Sequence, residues 1–371
     1  MKIPLFKVHM PAGATAALEA TLASGYLAHG ARVEEFERGL AAWVGNPRVS
    51  ALSEASGALT LALYLAGVRP QDEVIVSPLI CLATSMPIAN LFARPRWCDV
   101  DPATGMLDPA RIADLVTPRT RAILAYHWSG DVADIEALQA VARAHGLKLV
   151  EDASEAFGAE YRGARLGNQG SDFCVYSFAP VRQITAGDGA AILCASAQDH
   201  EKARRLRRYG IDQASFRLPS GDLNPDSDIP VAGFNVCMNN IAATLGLAQL
   251  PHAADVVARQ RANGRHYDGA LAGVAGLTLL QRRADAVSGY WTYSLRAERR
   301  AELARKLHEA GIGCQRLHVR NDRYSCFAAA RRDDALPGVD LFDRENLSIP
   351  CGWWLSPQER ERIVACIRSG W

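Results

Sequence analysis

No two cysteines in this chain are spaced as Cys-x-Cys or Cys-x-x-Cys, although nine are present, so neither an iron–sulfur cluster nor a paired-thiolate metal site is expected. The nine are scattered and odd in number. Cys174 and Cys194 fall inside apolar runs, which fits a reducing cytoplasm better than a disulfide framework. Charge of one sign is also missing. With 41 basic against 40 acidic residues, a formal net charge of +1, bulk electrostatics gives no reason to expect nucleic acid or an acidic partner. The one basic run, Lys202–Arg208, reads as a solvated helix face. Met1-Lys2-Ile3-Pro4 does not open a signal peptide, and no apolar run is long enough to span a bilayer, so no membrane is expected. Repeats and low-complexity segments are absent as well.

What the chain does have is length and rhythm. Its 371 residues, 49% of them hydrophobic, suffice for one large and one smaller core. Short apolar runs at Val49–Leu52, Glu73–Val76, Pro95–Cys98, Ala122–Tyr126 and Leu147–Val150 predict strands. Between them, Gly57–Ala66, Leu82–Leu91, Pro109–Leu115 and Asp134–His145 have helical character, after earlier helices at Ala14–Ser24 and Arg32–Val44. This alternation predicts a large α/β domain with a mostly parallel sheet over residues 1–250. Met238–Arg265 reads as one long helix interrupted at Pro251, and residues 251–371 form a smaller α+β domain. Arg217–Gly233 is a Pro/Gly/Asp-rich loop long enough to be functional or mobile.

The most informative stretch is Gly146–Ser196. The strand Leu147–Val150 runs into Glu151 and Asp152; a strand at Phe173–Phe178 ends in Ser177 and Phe178; a third, Ala190–Cys194, follows a Gly-Asp-Gly turn. Ligands of open parallel sheets sit beyond the carboxyl ends of the strands, which is where Asp152 and Ser177 belong.

The same stretch resembles the DegT/DnrJ/EryC1/StrS family, the sugar-aminotransferase branch of fold-type I pyridoxal-phosphate (PLP) proteins. The matching residues are Glu151-Asp152-Ala153-Ser154-Glu155, Ser171-Asp172, Ser177-Phe178-Ala179-Pro180-Val181-Arg182 and Gly187-Asp188-Gly189-Ala190. The likeness extends from about Gly25 to the end of the chain and implies the fold-type I architecture. It implies that Asp152 pairs with the pyridine nitrogen of PLP, or else caps the next helix. Ser177 matches the family's phosphate-binding serine. Asn235, in Gly233-Phe234-Asn235-Val236-Cys237-Met238, matches an asparagine that reaches the phosphate from a neighbouring subunit, which implies a dimer. An ordinary strand-end hydroxyl and an ordinary helix cap are the structural alternatives for these two.

Several departures from the family pattern meet in one pocket. The lysine that holds PLP as an imine falls on Arg182, whose guanidinium is no amine nucleophile. The phosphate-cradling S-G-T turn is matched to Ser56-Gly57-Ala58, the stacking T-[FW] pair to Ile80-Cys81, the glutamine beside the phenolic oxygen to Glu155, and an arginine to Cys237. Arg182 either binds an anion or fills the pocket as a salt bridge to Asp152 or Glu155. His127 borders the pocket by resemblance. His318 and Arg320 occupy the segment that closes over substrate, where Arg320 suits a phosphate or carboxylate, unless the segment is a solvated loop.

Ordinary transamination is therefore not expected. One reading is a repurposed enzyme acting on a nucleotide sugar or another pathway intermediate without covalent PLP. It would use Glu155, His127 or His318 for acid–base work and Arg182 or Arg320 for an anionic substrate group. A second is an enzyme that binds PLP, or its amine form PMP, non-covalently through Ser56, Gly57, Asp152, Ser177, Arg182 and Asn235, as a lysine-lacking sugar dehydratase of this family does. The third is a non-catalytic partner, in a heterodimer with a lysine-containing paralogue rather than a homodimer.

Overall fold

The computed structural model describes residues 2–331 and 335–371. Seven strands form the large sheet: β1 (Val49–Leu52), β2 (Glu73–Val76), β3 (Arg94–Trp97), β4 (Thr120–Tyr126), β5 (Lys148–Asp152), β6 (Phe173–Ser177) and β7 (Ala190–Cys194). Their spatial order is β1-β7-β6-β5-β4-β2-β3. Only β7 runs against the others, pairing antiparallel with both β1 and β6. Every residue of β1, β2, β6 and β7 is buried, as expected for strands covered on both faces. Each fully buried Leu, Ile or Val there contributes roughly 1.5–3 kcal/mol.

Helices α1 (Ala14–Ala23), α2 (Ala31–Val44), α3 (Ala55–Leu65), α4 (Leu82–Asn90), α5 (Ile135–His145) and α6 (Ala197–Leu206) belong to this part of the chain. Of the apolar face expected for α2, Val33, Phe36 and Leu40 are buried; Val44 completes it, while Trp43, also expected there, is half-buried. The segment Pro109–Leu115, expected to be a helix, is instead two short 3₁₀ turns. In the basic run Lys202, Arg204 and Arg205 are exposed, but Arg207 is buried, donating to the Ala51 carbonyl and to Glu37.

The long helix expected from Met238 divides into α7 (Asn240–Gln249), a single 3₁₀ turn at Leu250–His252, and α8 (Ala253–Ala270). Asn239 caps α7, its side chain accepting from the Ala242 amide at 2.8 Å. By length and apolar content alone, the 31-residue stretch Asn240–Ala270 could cross a bilayer, which the sequence reading did not anticipate. Its apolar residues are used elsewhere. Ala243, Ala253 and Val257 pack into the core over β1, β6 and β7, whereas Tyr267 of α8 belongs to a second core.

That second core surrounds a three-stranded sheet of β8 (Leu277–Leu279), β9 (Tyr293–Ala297) and β10 (Asn346–Ile349), in the order β8-β9-β10. Helices α9 (Arg300–Glu309), α10 (Pro337–Glu345) and α11 (Pro357–Arg368) complete this part. Ile3, near the N-terminus, also packs in the second core, bridged to Ile312. The chain thus passes between cores within α8.

Candidate active site

Strand β5 carries Asp152 to the carboxyl edge of the sheet, between Tyr126 of β4 and Val175 of β6. The carboxylate is almost fully buried and both oxygens are engaged. Oδ2 accepts from the Thr84 hydroxyl at 2.6 Å and Oδ1 from the Ser154 amide at 2.9 Å. It forms part of the lining of a cavity of about 240 Å³ that also touches Ser56, Cys81, Ser177 and Arg182. Burial pushes the Cys81 thiol upward, with Glu155 and Asp152 adding to the shift.

Behind Arg182 lies a hydrogen-bonded cluster. Glu155 has no solvent exposure; its Oε1 is 3.0 Å from His318 Nε2, and its Oε2 accepts from the Ser129 amide at 2.7 Å. The same His318 nitrogen lies 3.0 Å from the Tyr126 hydroxyl. Burial alone would raise the Glu155 pKa, but the charge and hydrogen bond of His318, followed by Arg182 and Tyr126, outweigh it and hold the carboxyl below its usual range. Burial pushes the Tyr126 phenol well up, and Glu155 adds to this. Glu155 is therefore a carboxylate, and His318 Nε2–H donates to it.

The backbone explains how these groups meet. Ser129 sits at φ 58°, and Gly130, at φ +100°, lies so close to the Tyr290 amide that a Cβ would clash at 2.6 Å. This tight turn aims the Ser129 N–H at Glu155. His318 comes from the second part of the chain, and its segment is pinned by buried Asn321. That residue's amide donates to the Pro78 carbonyl at 2.8 Å, and its side chain donates to Ser85 Oγ at 2.8 Å.

Arg182 is nine-tenths buried. Its guanidinium stacks on Trp291 at 4.3 Å, and Nη1 is 3.6 Å from Glu155 Oε1, beyond a good hydrogen bond. Among the described residues, Nε and Nη1 are buried with no hydrogen-bond acceptor. The arginine thus keeps unused donor capacity beside an ionised carboxylate.

Other expected site residues lie elsewhere. His127 is fully buried outside the cavity. Its Nδ1 accepts from the Ala133 amide at 3.1 Å, so Nε2 carries the proton and donates to Glu151 at 2.8 Å, leaving no ring nitrogen for a substrate. Arg320 lines a separate cavity of about 400 Å³ with Trp97 and Asp99. Its donors are engaged by Asp322, in a bidentate pair, and by Asp340. Asn235 is exposed and bridges to Arg208 rather than lining the cavity. Gly57 is one position too far along. Glu54 is the N-cap of α3, so Glu54, Ala55 and Ser56 face the cavity, Gly57 packs on Val236, and Ala58 is buried in the core.

Glu54, Thr84, Tyr126 and Trp291 escaped the sequence reading. An acid two residues beyond a strand and just ahead of an apolar helix is an N-cap signal that points to Glu54. Tyr126 ends an apolar strand at the ligand-bearing edge. Nothing in the sequence marks Thr84 or Trp291. Among the described residues no cluster of His, Cys, Asp and Glu could hold a metal ion.

The model of the DegT/DnrJ/EryC1/StrS aminotransferase family matches residues 10–368. The chain belongs to that family. Its fold is that of the fold-type I, PLP-dependent aminotransferases. It is 33% identical over 353 residues to the erythromycin biosynthesis sensory transduction protein EryC1 of Saccharopolyspora erythraea, covering 94% of this chain and 93% of that one. It is 32% identical to the GDP-perosamine synthase of Caulobacter vibrioides, covering 90% and 89%. Among solved structures, the sugar aminotransferase CalS13 from Micromonospora echinospora superposes with a TM-score of 0.94 at 37% identity, covering both chains fully. AtS13 from Actinomadura melliaura gives 0.93 at 39%, covering 100% of this chain and 99% of its own.

The family's cofactor meets a mixed reception among these residues. Asp152, fixed by Thr84 and the Ser154 amide, suits a protonated ring nitrogen. At the start of α3, however, the Ser56 and Gly57 amides already donate to the Glu54 carboxylate, the former at 2.6 Å. Arg182 supplies no amine.

Proposed function

We propose that this family member is a sugar-modifying enzyme of natural-product or surface-polysaccharide biosynthesis that holds no covalent PLP. The observation that carries the reading is the Tyr126–His318–Glu155 cluster backed by Arg182, whose Nε and Nη1 have no acceptor among the described residues. His318 is the acid–base group of this reading, because its side chain keeps 11% exposure while Glu155 has none. Glu155 positions the imidazole by accepting from its Nε2–H. Arg182 orients an anionic group of the substrate. Asp152, Ser177 and Ser56 supply polar contacts to a polyhydroxylated ligand. The substrate class rests on relatives named for sugar amination and GDP-perosamine synthesis.

The deciding experiment starts with the absorption spectrum of the purified protein, before and after incubation with PLP or PMP and desalting. No retained cofactor band is expected. Nucleotide-linked sugars are then screened for thermal stabilisation, and those that bind are assayed for conversion. A PLP band that resists desalting and is discharged by glutamate would overturn the proposal.

A second reading, as partner to a lysine-containing paralogue, draws on Asn235, which is exposed and serves nothing in its own cavity. Co-expression and copurification with such a paralogue, and a gain of transaminase activity in the mixture, are its signature.

A further inference from the structure

The first turn of a helix presents backbone N–H groups with no partner inside the helix, and its dipole favours negative charge there. In this chain the 11-residue helix α3 opens onto the cavity, but that end is already filled by a side chain of its own. Glu54, in extended backbone at the N-cap, curls its carboxylate over the turn and accepts from the Ser56 and Gly57 amides. Gly57 is matched to this arrangement. A Cβ there would come within 2.6 Å of Glu54 Oε1 and 2.9 Å of Val236, so only glycine lets the carboxylate lie so close. The position of Glu54 is fixed in turn by its neighbour, since the Ser53 amide donates to the Val236 carbonyl at 2.8 Å.

We infer that Glu54 is a specificity-determining residue, a built-in substitute for a ligand anion that makes the α3 end of the cavity refuse a phosphate. A phosphate entering there would have to displace the carboxylate from both amides or sit against its charge. The cavity is therefore polarised. Three carboxylates, those of Glu54, Asp152 and Asp188, share its lining with one cation, Arg182. A ligand enters with its anionic group toward Arg182 and an uncharged or cationic group toward α3. This inference rests on reading the cavity as the ligand site.

Inorganic phosphate is the probe, measured by titration calorimetry in a set of full-length variants. Any phosphate bound by the unsubstituted protein and lost in Arg182→Gln reports on the arginine alone. In the Arg182→Gln background, adding Glu54→Gly strips the cap, and phosphate affinity is expected to rise at least ten-fold with one site per chain. Glu54→Gln, which keeps the side-chain length and loses only the charge, is expected to give a smaller gain in the same direction. Circular dichroism and melting curves establish that each variant folds. Should the glycine double variant misfold, the glutamine variant carries the test alone. Equal phosphate affinity with and without Glu54, or saturable phosphate binding in Arg182→Gln that Glu54→Gly does not strengthen, would overturn the inference. Failure of the Arg182 role shows in a different comparison, that of the unsubstituted protein with Arg182→Gln.

Discussion

Two histidine–glutamate pairs flank the same strand end, and they differ in what each leaves free. His127 and Glu151 meet at 2.8 Å with essentially no exposure on either side. His318 and Glu155 meet at 3.0 Å, but the histidine retains some exposure, shares its nitrogen with Tyr126, and has a cation nearby. The first pair is closed, since both His127 nitrogens are spent on protein groups. The second is open to further chemistry. Sequence position distinguishes them poorly. What separates them is whether the ring has a nitrogen and a surface left over.

The largest effect should come from breaking the closed pair. His127→Ala leaves Glu151 buried without the one side-chain partner it has among the described residues, a situation that typically costs about 3–5 kcal/mol. Urea denaturation is expected to show that loss, and His318→Asn a smaller one, because the asparagine amide still offers Glu155 an N–H and Arg182 stays 3.6 Å away. The same two variants sharpen the contrast in turnover. Once a substrate is in hand, His318→Asn should lower kcat by roughly 10²–10⁴-fold at temperatures where the variant stays folded, as removing a general acid–base group does. If His318→Asn turns over normally, the open pair is structural too.

A smaller effect is expected from acid. The Glu155 carboxyl is held below its ordinary value in the folded protein. Its contribution to stability is therefore complete above that value and lost as pH falls through the lower folded value. Melting temperatures measured downward from pH 6 should show an acid slope that Glu155→Gln reduces. The least change is expected from Arg182→Lys. A lysine restores an amine, but Glu54, Cys81 and Glu155 remain, so no transaminase activity and no retained cofactor band should appear. Substantial recovery would place the site nearer its relatives than this reading does.

Much of the scaffold was legible because buried parallel strands are short apolar runs. The runs read as β1, β2 and β7 have the observed bounds. β5 extends two residues further than its apolar letters, because parallel pairing with Tyr126 and Val175 carries the ladder through Glu151 and Asp152. Pro109–Leu115 misled because its residues suit a helix while its length supports only 3₁₀ turns. In the site, Asp152 and Ser177 were readable as the final residues of strands, and Arg182 from the motif Ser177–Arg182 that begins there. Gly57 was misplaced because the helix start was set two residues late, and Glu54 was missed for the same reason. His127 and Arg320 could not be judged from letters alone. Their fates depend on Glu151, Asp322 and Asp340, partners chosen by packing and rotamer.

Helix α8 has one further consequence. It runs for 18 residues without interruption, buried through Val257 in one core and through Tyr267 in the other. At 1.5 Å per residue it is a strut of about 27 Å. The strap at Ile3, whose amide donates to the Gly311 carbonyl at 2.8 Å, ties the opposite end of the polypeptide to the same body. His318 therefore reaches Glu155 on a frame braced at two points. The spacing between acid and base is a property of the whole architecture, and a substitution far out along that strut would be felt as a change of distance at the imidazole.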